Sequence, residues 1–128
     1  MSVRARPDIL HVPDDYERIQ WAVGNASEGS TIFVHRGIYY ENVIINKSVS
    51  LVGEDRDLTI VDGNRTGNVI SVLMTNNVII RSLTIRRSGT TPDNYGIFVD
   101  HSSGIDISNN RVTANYDGIT LLSSVNNV

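Results

Sequence analysis

The chain has 128 residues, 40% of them hydrophobic and 20% charged, with a formal net charge of −3 and no cysteine. These values fit one soluble globular domain and exclude disulfides, thiolate nucleophiles and Cys-ligated zinc. The slightly acidic balance argues against a nucleic-acid partner, and no run approaches the ~20 apolar residues of a membrane span.

Residues 1–13 read as an N-terminal extension. No apolar stretch of signal-peptide character follows Met1-Ser2-Val3-Arg4-Ala5-Arg6-Pro7. Residues 14–28 read as a helical cap. Tyr16, Ile19, Ala22, Val23 and Ala26 recur at helical spacing. Asp14 stands three residues before Glu17 as in a capping box, Pro13 precedes the helix and Gly29 follows it.

From residue 29 to 128 the period changes to two. Short β-branched runs follow one another: Thr31-Ile32-Phe33-Val34, Val43-Ile44-Ile45, Val49-Ser50-Leu51, Thr59-Ile60-Val61, Val69-Ile70-Ser71-Val72, Val78-Ile79-Ile80, Leu83-Thr84-Ile85, Ile97-Phe98-Val99, Ile105-Asp106-Ile107 and Ile119-Thr120-Leu121. Gly, Asn, Asp and Ser fill the gaps between them.

These runs repeat in order. Gly96-Ile97 recurs 22 residues later as Gly118-Ile119, and Ile70-Ser71-Val72 recurs 27 residues later as Ile97-Phe98-Val99. Val78-Ile79-Ile80 recurs as Ile105-Asp106-Ile107, and Asn127-Val128 falls where the next copy would begin. A third column is read through Val49-Ser50-Leu51, Leu83-Thr84-Ile85 and Val112-Thr113, with Thr59 to Gly63 set aside as an expansion of a longer early coil. Three short strands per repeat, with a period in the twenties, predict an all-β fold: a right-handed parallel β-helix, a three-sheet solenoid with a short N-terminal capping α-helix and about three coils. Ile70, Val72, Ile97, Val99, Ile119 and Leu121 are expected to form one inward ladder, and Val78, Ile80, Ile105 and Ile107 another. Tyr16, Ile19 and Val23 would cover the first coil, with Trp21 at its rim. The last coil is expected to be open or truncated, inviting self-association.

The stretch from Asp15-Tyr16 through Trp21-Ala22-Val23, then Gly29-Ser30-Thr31-Ile32-Phe33-Val34 and Gly37-Ile38-Tyr39-Tyr40-Glu41-Asn42-Val43, resembles the start of pectin-lyase-like β-helix proteins. Val49 to Glu54 and Thr59 to Gly63 extend the likeness, and the copies beginning at Gly96 and Gly118 look like NosD-type repeats. The resemblance implies an extracellular or periplasmic setting. It implies either of two roles. One is a non-catalytic surface or exported scaffold that binds carbohydrate or a cell-surface protein. The other is a polysaccharide-active enzyme, whether lyase, hydrolase or uronate epimerase, because one solenoid hosts many chemistries.

The local group that carries the enzyme reading is Asp100, His101 and Asp106. Alternation puts Asp100 outward beside Val99, His101 in the turn, and Asp106 outward between Ile105 and Ile107. A carboxylate beside an imidazole can abstract a sugar proton or hold a metal. The competing reading is a polar turn with a solvated histidine. Asp62 and Asp117, each before a Gly, read as turn formers. Asn76, Asn77, Asn109, Asn110 and Asn115 read as hydrogen-bonding residues between coils, and Arg81, Arg86 and Arg87 as solvated charges at strand ends. Phe98 is an outward aromatic suited to a sugar ring. The histidines and methionines are scattered, so no copper site is read; no cofactor is expected, with Ca²⁺ the one cation kept open.

Overall fold

A computed structural model describes residues 8–124. β1 (Ile9–Val12) and α1 (Ile19–Asn25) precede four successive coils of three strands each. The first coil holds β2 (Thr31–Val34), β3 (Gly37–Tyr40) and β4 (Val43–Ile45). The second holds β5 (Ser50–Gly53), β6 (Thr59–Asp62) and β7 (Ile70–Leu73). The third holds β8 (Ile79–Arg81), β9 (Thr84–Arg86) and β10 (Tyr95–Asp100), and the fourth β11 (Asp106–Ser108), β12 (Arg111–Thr113) and β13 (Asp117–Leu122).

Each strand pairs in parallel with its equivalent one coil on. The result is three sheets: β1-β2-β5-β8-β11 (sheet A), β3-β6-β9-β12 (sheet B) and β4-β7-β10-β13 (sheet C). This is the right-handed parallel β-helix expected from the repeats. Among the described residues the coils number four rather than about three, because two segments pair differently from the expectation. Val49-Ser50-Leu51 belongs to sheet A, with Leu51 opposite Ile80, and not to the column of Leu83-Thr84-Ile85. Thr59–Asp62 is the regular sheet-B strand of the second coil, with Ile60 opposite Thr84, and not an expansion. Ile9–Val12, assigned to an extension, adds a fifth strand to sheet A, with Leu10 opposite Ile32. The rung expected at Asn127-Val128 lies outside the described residues.

Inward side chains stack rung on rung. Ile70 faces Ile97 and Ile97 faces Ile119, while Val72 faces Val99 and Val99 faces Leu121. Ile70, Val72, Val78, Ile80, Ile97, Val99 and Ile105 are fully buried, and Ile107 packs against this core. Each such burial contributes about 1.5–3 kcal/mol. The ladder opens at its last rung, where Ile119 is 48% and Leu121 50% exposed.

α1 lies against β1, β2 and β4 and buries Ile19, Ala22 and Val23. It is shorter than the periodicity suggested. Arg18, not Asp14, occupies the N-cap position and makes no side-chain cap there. The cap comes from 22 residues away: the Glu41 carboxylate accepts the Ile19 and Gln20 amides at 2.9 and 3.0 Å. Asp14 and Asp15 lie in the turn before the helix, where Asp15 Oδ2 accepts the His11 amide at 2.8 Å. Trp21 stays half exposed under the Arg18 guanidinium, 5.6 Å from its ring.

The corners are built from residues in left-handed backbone conformation. Met74, His101 and Ser123 all have φ near +50° and occupy one corner on successive coils. The Met74 amide donates to Asp100 O and the His101 amide to Leu122 O, both at 3.0 Å. At the corner after sheet B, Arg65, Arg87 and Ala114 are also left-handed, and the amide of each arginine donates to a carbonyl of the following coil. Asparagines bridge coils as the sequence suggested: Asn110 Oδ1 accepts the Leu83 amide at 3.1 Å, and its Nδ2 donates to Ile80 O at 2.8 Å. Asn115 does likewise with Ser88 N–H and Ile85 O.

Candidate functional site

β10 carries most of the residues singled out. Ile97 and Val99 point into the core, so Phe98 and Asp100 point outward. Gly96 breaks the alternation: a Cβ there would lie 2.9 Å from Val112 Cγ1, so residues 96 and 97 both face inward. Tyr95 thereby joins Phe98 on the outer face. Their rings stack with centroids 5.7 Å apart and planes 15° apart. Ser71 and Thr120 occupy the rungs on either side of Phe98 and place hydroxyls beside it.

Asp100 ends the strand and His101 opens the corner. His101 Nδ1 lies 2.7 Å from Asp100 Oδ1, with the imidazole largely exposed and the carboxylate a quarter exposed. With Nδ1 donating to the carboxylate, Nε2 is left free to exchange a proton or bond a ligand. A shallow cleft of about 260 Å³ adjoins the ring and is lined by Asn76, His101, Ser102, Ser103 and Ser123. Two of its walls are fixed: Asn76 Oδ1 accepts both the amide and the hydroxyl of Ser103, and Ser102 Oγ donates to Asp100 O.

Asp106 stands apart. The corner after His101 carries the chain into sheet A, where Asp106 pairs with Ile79. Its Oδ1 is buried and accepts no hydrogen bond. Among the described residues it forms neither a hydrogen bond nor an ion pair with Asp100 or His101. The three residues grouped from sequence are thus a joined pair and a separate carboxylate, because successive strands belong to different sheets.

Two further polar clusters went unread. His11 Nδ1 lies 3.0 Å from His35 Nε2, and His35 Nδ1 lies 3.0 Å from Glu54 Oε1. The His35 hydrogen bond, aided by nearby Arg36, holds the Glu54 carboxyl below its ordinary range. Tyr39 donates its hydroxyl to His35 O at 2.8 Å. Burial, and after it the charges of Asp14, Glu41 and Glu54, raise the phenol's pKa. The second cluster surrounds Asp62. This residue is fully buried: Oδ2 accepts from Arg86 Nε at 3.0 Å and Arg87 Nη1 at 3.3 Å, and Oδ1 from the Asn64 amide. Arg86 and Arg87 are therefore partners of a buried acid, not solvated charges. An Asp before a Gly gave the turn but not the ion pair, since the partner arginines lie a coil away. Among the described residues, no three His, Cys, Asp or Glu side chains gather so as to hold a metal ion, and no helix is long and apolar enough to cross a membrane.

Comparison with known proteins places these features in context. A family model described as periplasmic copper-binding protein (NosD) matches residues 23–128. No curated protein matches the sequence. Among solved structures, pectin methylesterase from carrot is similar with a TM-score of 0.70 at 18% identity, covering 89% of this chain and 42% of its own. Pectin methylesterase PemA from Erwinia chrysanthemi gives a TM-score of 0.65 at 14% identity, covering 96% and 46%. A pectin methylesterase in complex with hexasaccharide VII gives 0.70 at 14%, covering 92% and 46%. The likeness to these structures is one of fold, and the chain spans less than half the length of each.

Proposed function

The chain belongs to the NosD family, and from that membership we propose that it is a non-catalytic β-helix repeat domain, a surface or exported scaffold that binds carbohydrate on the outward face of sheet C. The observation that carries this reading is the Tyr95–Phe98 stack. Paired aromatic rings on a rigid strand offer a sugar ring an apolar face at little entropic cost. The flanking hydroxyls of Ser71 and Thr120, and the Asp100–His101 pair, supply donors and acceptors for its hydroxyl groups. The hexasaccharide held by a pectin methylesterase of the same fold gives the reading a precedent in kind.

The family description names copper, but the side chains described here do not fit it. Copper needs converging His, Cys or Met ligands. The chain has no cysteine, His11 and His35 bond to each other at one end of the solenoid, and His101, bonded to Asp100, has one thioether, that of Met74, a rung before it. No step is built on copper. Ca²⁺ enters only as a variable of the test.

A second reading, a polysaccharide-active enzyme, is favoured by the 2.7 Å Asp100–His101 contact. Here the pair exchanges a proton with a sugar, with Asp106 as a separate acid. One experiment separates the two. The protein is incubated with uronate-containing and neutral polysaccharides, with and without Ca²⁺, and both binding and shortened or unsaturated products are read. Binding lost in Phe98→Ala, without products, supports the scaffold. Products that vanish in Asp100→Ala or His101→Ala establish the enzyme. Binding untouched by Phe98→Ala and Tyr95→Ala rules out the sheet-C platform.

A further inference from the structure

At the corner after sheet B, Arg65, Arg87 and Ala114 lie on three successive coils, all with φ between 54° and 61°. The Arg65 amide donates to Arg87 O at 2.9 Å and the Arg87 amide to Ala114 O at 3.1 Å. The backbones of these residues are therefore joined across adjacent coils, and the Arg65 and Arg87 side chains line one cleft. Two of the three are arginines. The third is too small to fill its share of the surface, and an open cleft of about 220 Å³ results. Arg65 and Arg87 line it together with Ser88, Thr90, Ala114 and the half-exposed Tyr116, and no acidic side chain lines it.

The charges at this corner do not balance. Asp62 alone faces Arg86 and Arg87, and it uses Oδ2 on both. Arg65 makes no ion pair among the described residues. The Nε of Arg87 is buried with no acceptor. Two guanidiniums on adjacent coils, beside a hollow and an aromatic wall, form a cradle for a group with several acceptor oxygens and negative charge.

We propose that this corner is an oxyanion-binding site, taking a carboxylate, sulfate or phosphate on a small ligand or at the end of a larger one. It is distinct from the sheet-C face and stands whether or not that face binds sugar. Arg65 is the specificity-determining residue, because it is free of structural duties. Arg87 both holds Asp62 and contacts the ligand.

The test uses the 128-residue protein labelled with ¹⁵N and titrated separately with inorganic sulfate, inorganic phosphate, galacturonate and neutral galactose. The expected result is saturable shifts of the Gly89, Ala114 and Tyr116 amides with one or more of the anions and none with galactose. Arg65→Ala is expected to weaken that binding at least tenfold while leaving the rest of the spectrum in place. Which anion saturates first identifies the source of the oxyanion. Equal shifts with galactose, shifts spread over Arg81 and Arg111 as well, an absence of saturation with any anion, or unchanged affinity in Arg65→Ala would each overturn the proposal.

Discussion

Glu41 holds the start of the only helix among the described residues: its carboxylate receives the Ile19 amide at 2.9 Å from the other side of a corner. The same carboxylate receives the Gln20 amide. One acid thus ties the helix that covers the first coil to the connection between β3 and β4 of that coil. Glu41→Ala is expected to lower stability by about 1–2 kcal/mol. Urea denaturation followed by far-UV circular dichroism measures it, and Glu41→Gln, which keeps one acceptor oxygen, should lose less.

Gly53 is fixed by close approach rather than by backbone twist. A Cβ there would lie 2.0 Å from the carbonyl oxygen of Ser82. Gly53→Ala must push two coils apart and is expected to cost more than about 2 kcal/mol. A thermal melt within a few degrees of the parent would contradict this.

Asn110 bridges two coils with both ends of its amide. Asn110→Ala leaves the Leu83 amide without its partner and removes one bond from the Ile80 carbonyl, in residues that are fully buried. The expected loss is about 1–3 kcal/mol. Hydrogen exchange gives a sharper readout, since the Leu83 amide should lose protection selectively.

Glu54 gives a pH dependence of known sign. Its pKa in the folded protein lies below the ordinary value of 4.5, chiefly through the His35 hydrogen bond. The carboxylate's contribution is therefore present above about pH 4.5 and is lost as pH falls through the lowered folded-state value. Urea midpoints of the parent and of Glu54→Gln should differ near neutrality and converge in acid. Curves that stay parallel down to pH 3 would argue against the His35–Glu54 bond.

Ile119 and Leu121 continue the inward ladder yet are about half exposed, on a strand at the edge of sheet C. The purified 128-residue chain is expected to self-associate through this edge. Analytical ultracentrifugation should show mass rising with concentration, and Leu121→Lys should suppress it. A monomer at millimolar concentration would exclude the idea.

The later coils were legible because their sheet-C triplets keep one alternating pattern across steps of 27 and 22 residues. Ile70, Ile97 and Ile119 recur with the same neighbours, and the register follows. The early coils were not, because Thr31 finds Ser50 while Ser50 finds Ile79, a much longer step. With unequal steps, Val49-Ser50-Leu51 is assigned to the wrong sheet from composition alone. Ile9–Val12 was overlooked for a related reason: a single strand before the helix has no repeat to announce it. Of the site, the Asp100–His101 pair was legible because the residues are neighbours in sequence. The Asp62–Arg86–Arg87 cluster and the Glu41 cap were not, since each joins residues more than 20 apart whose separate local readings were ordinary turn and surface chemistry.

The corner ladders carry a consequence for how such a molecule can change. Met74, His101 and Ser123 share one backbone role while their side chains have nothing in common. The amide and carbonyl that hold the corner belong to every amino acid except proline, so beyond the left-handed conformation, which disfavours β-branched residues, the backbone leaves the projecting side chain open. A corner is in effect a row of interchangeable sockets, set at regular intervals on a core that does not sense what is plugged in. New recognition chemistry can be tried there one residue at a time, with the geometry of its neighbours already guaranteed.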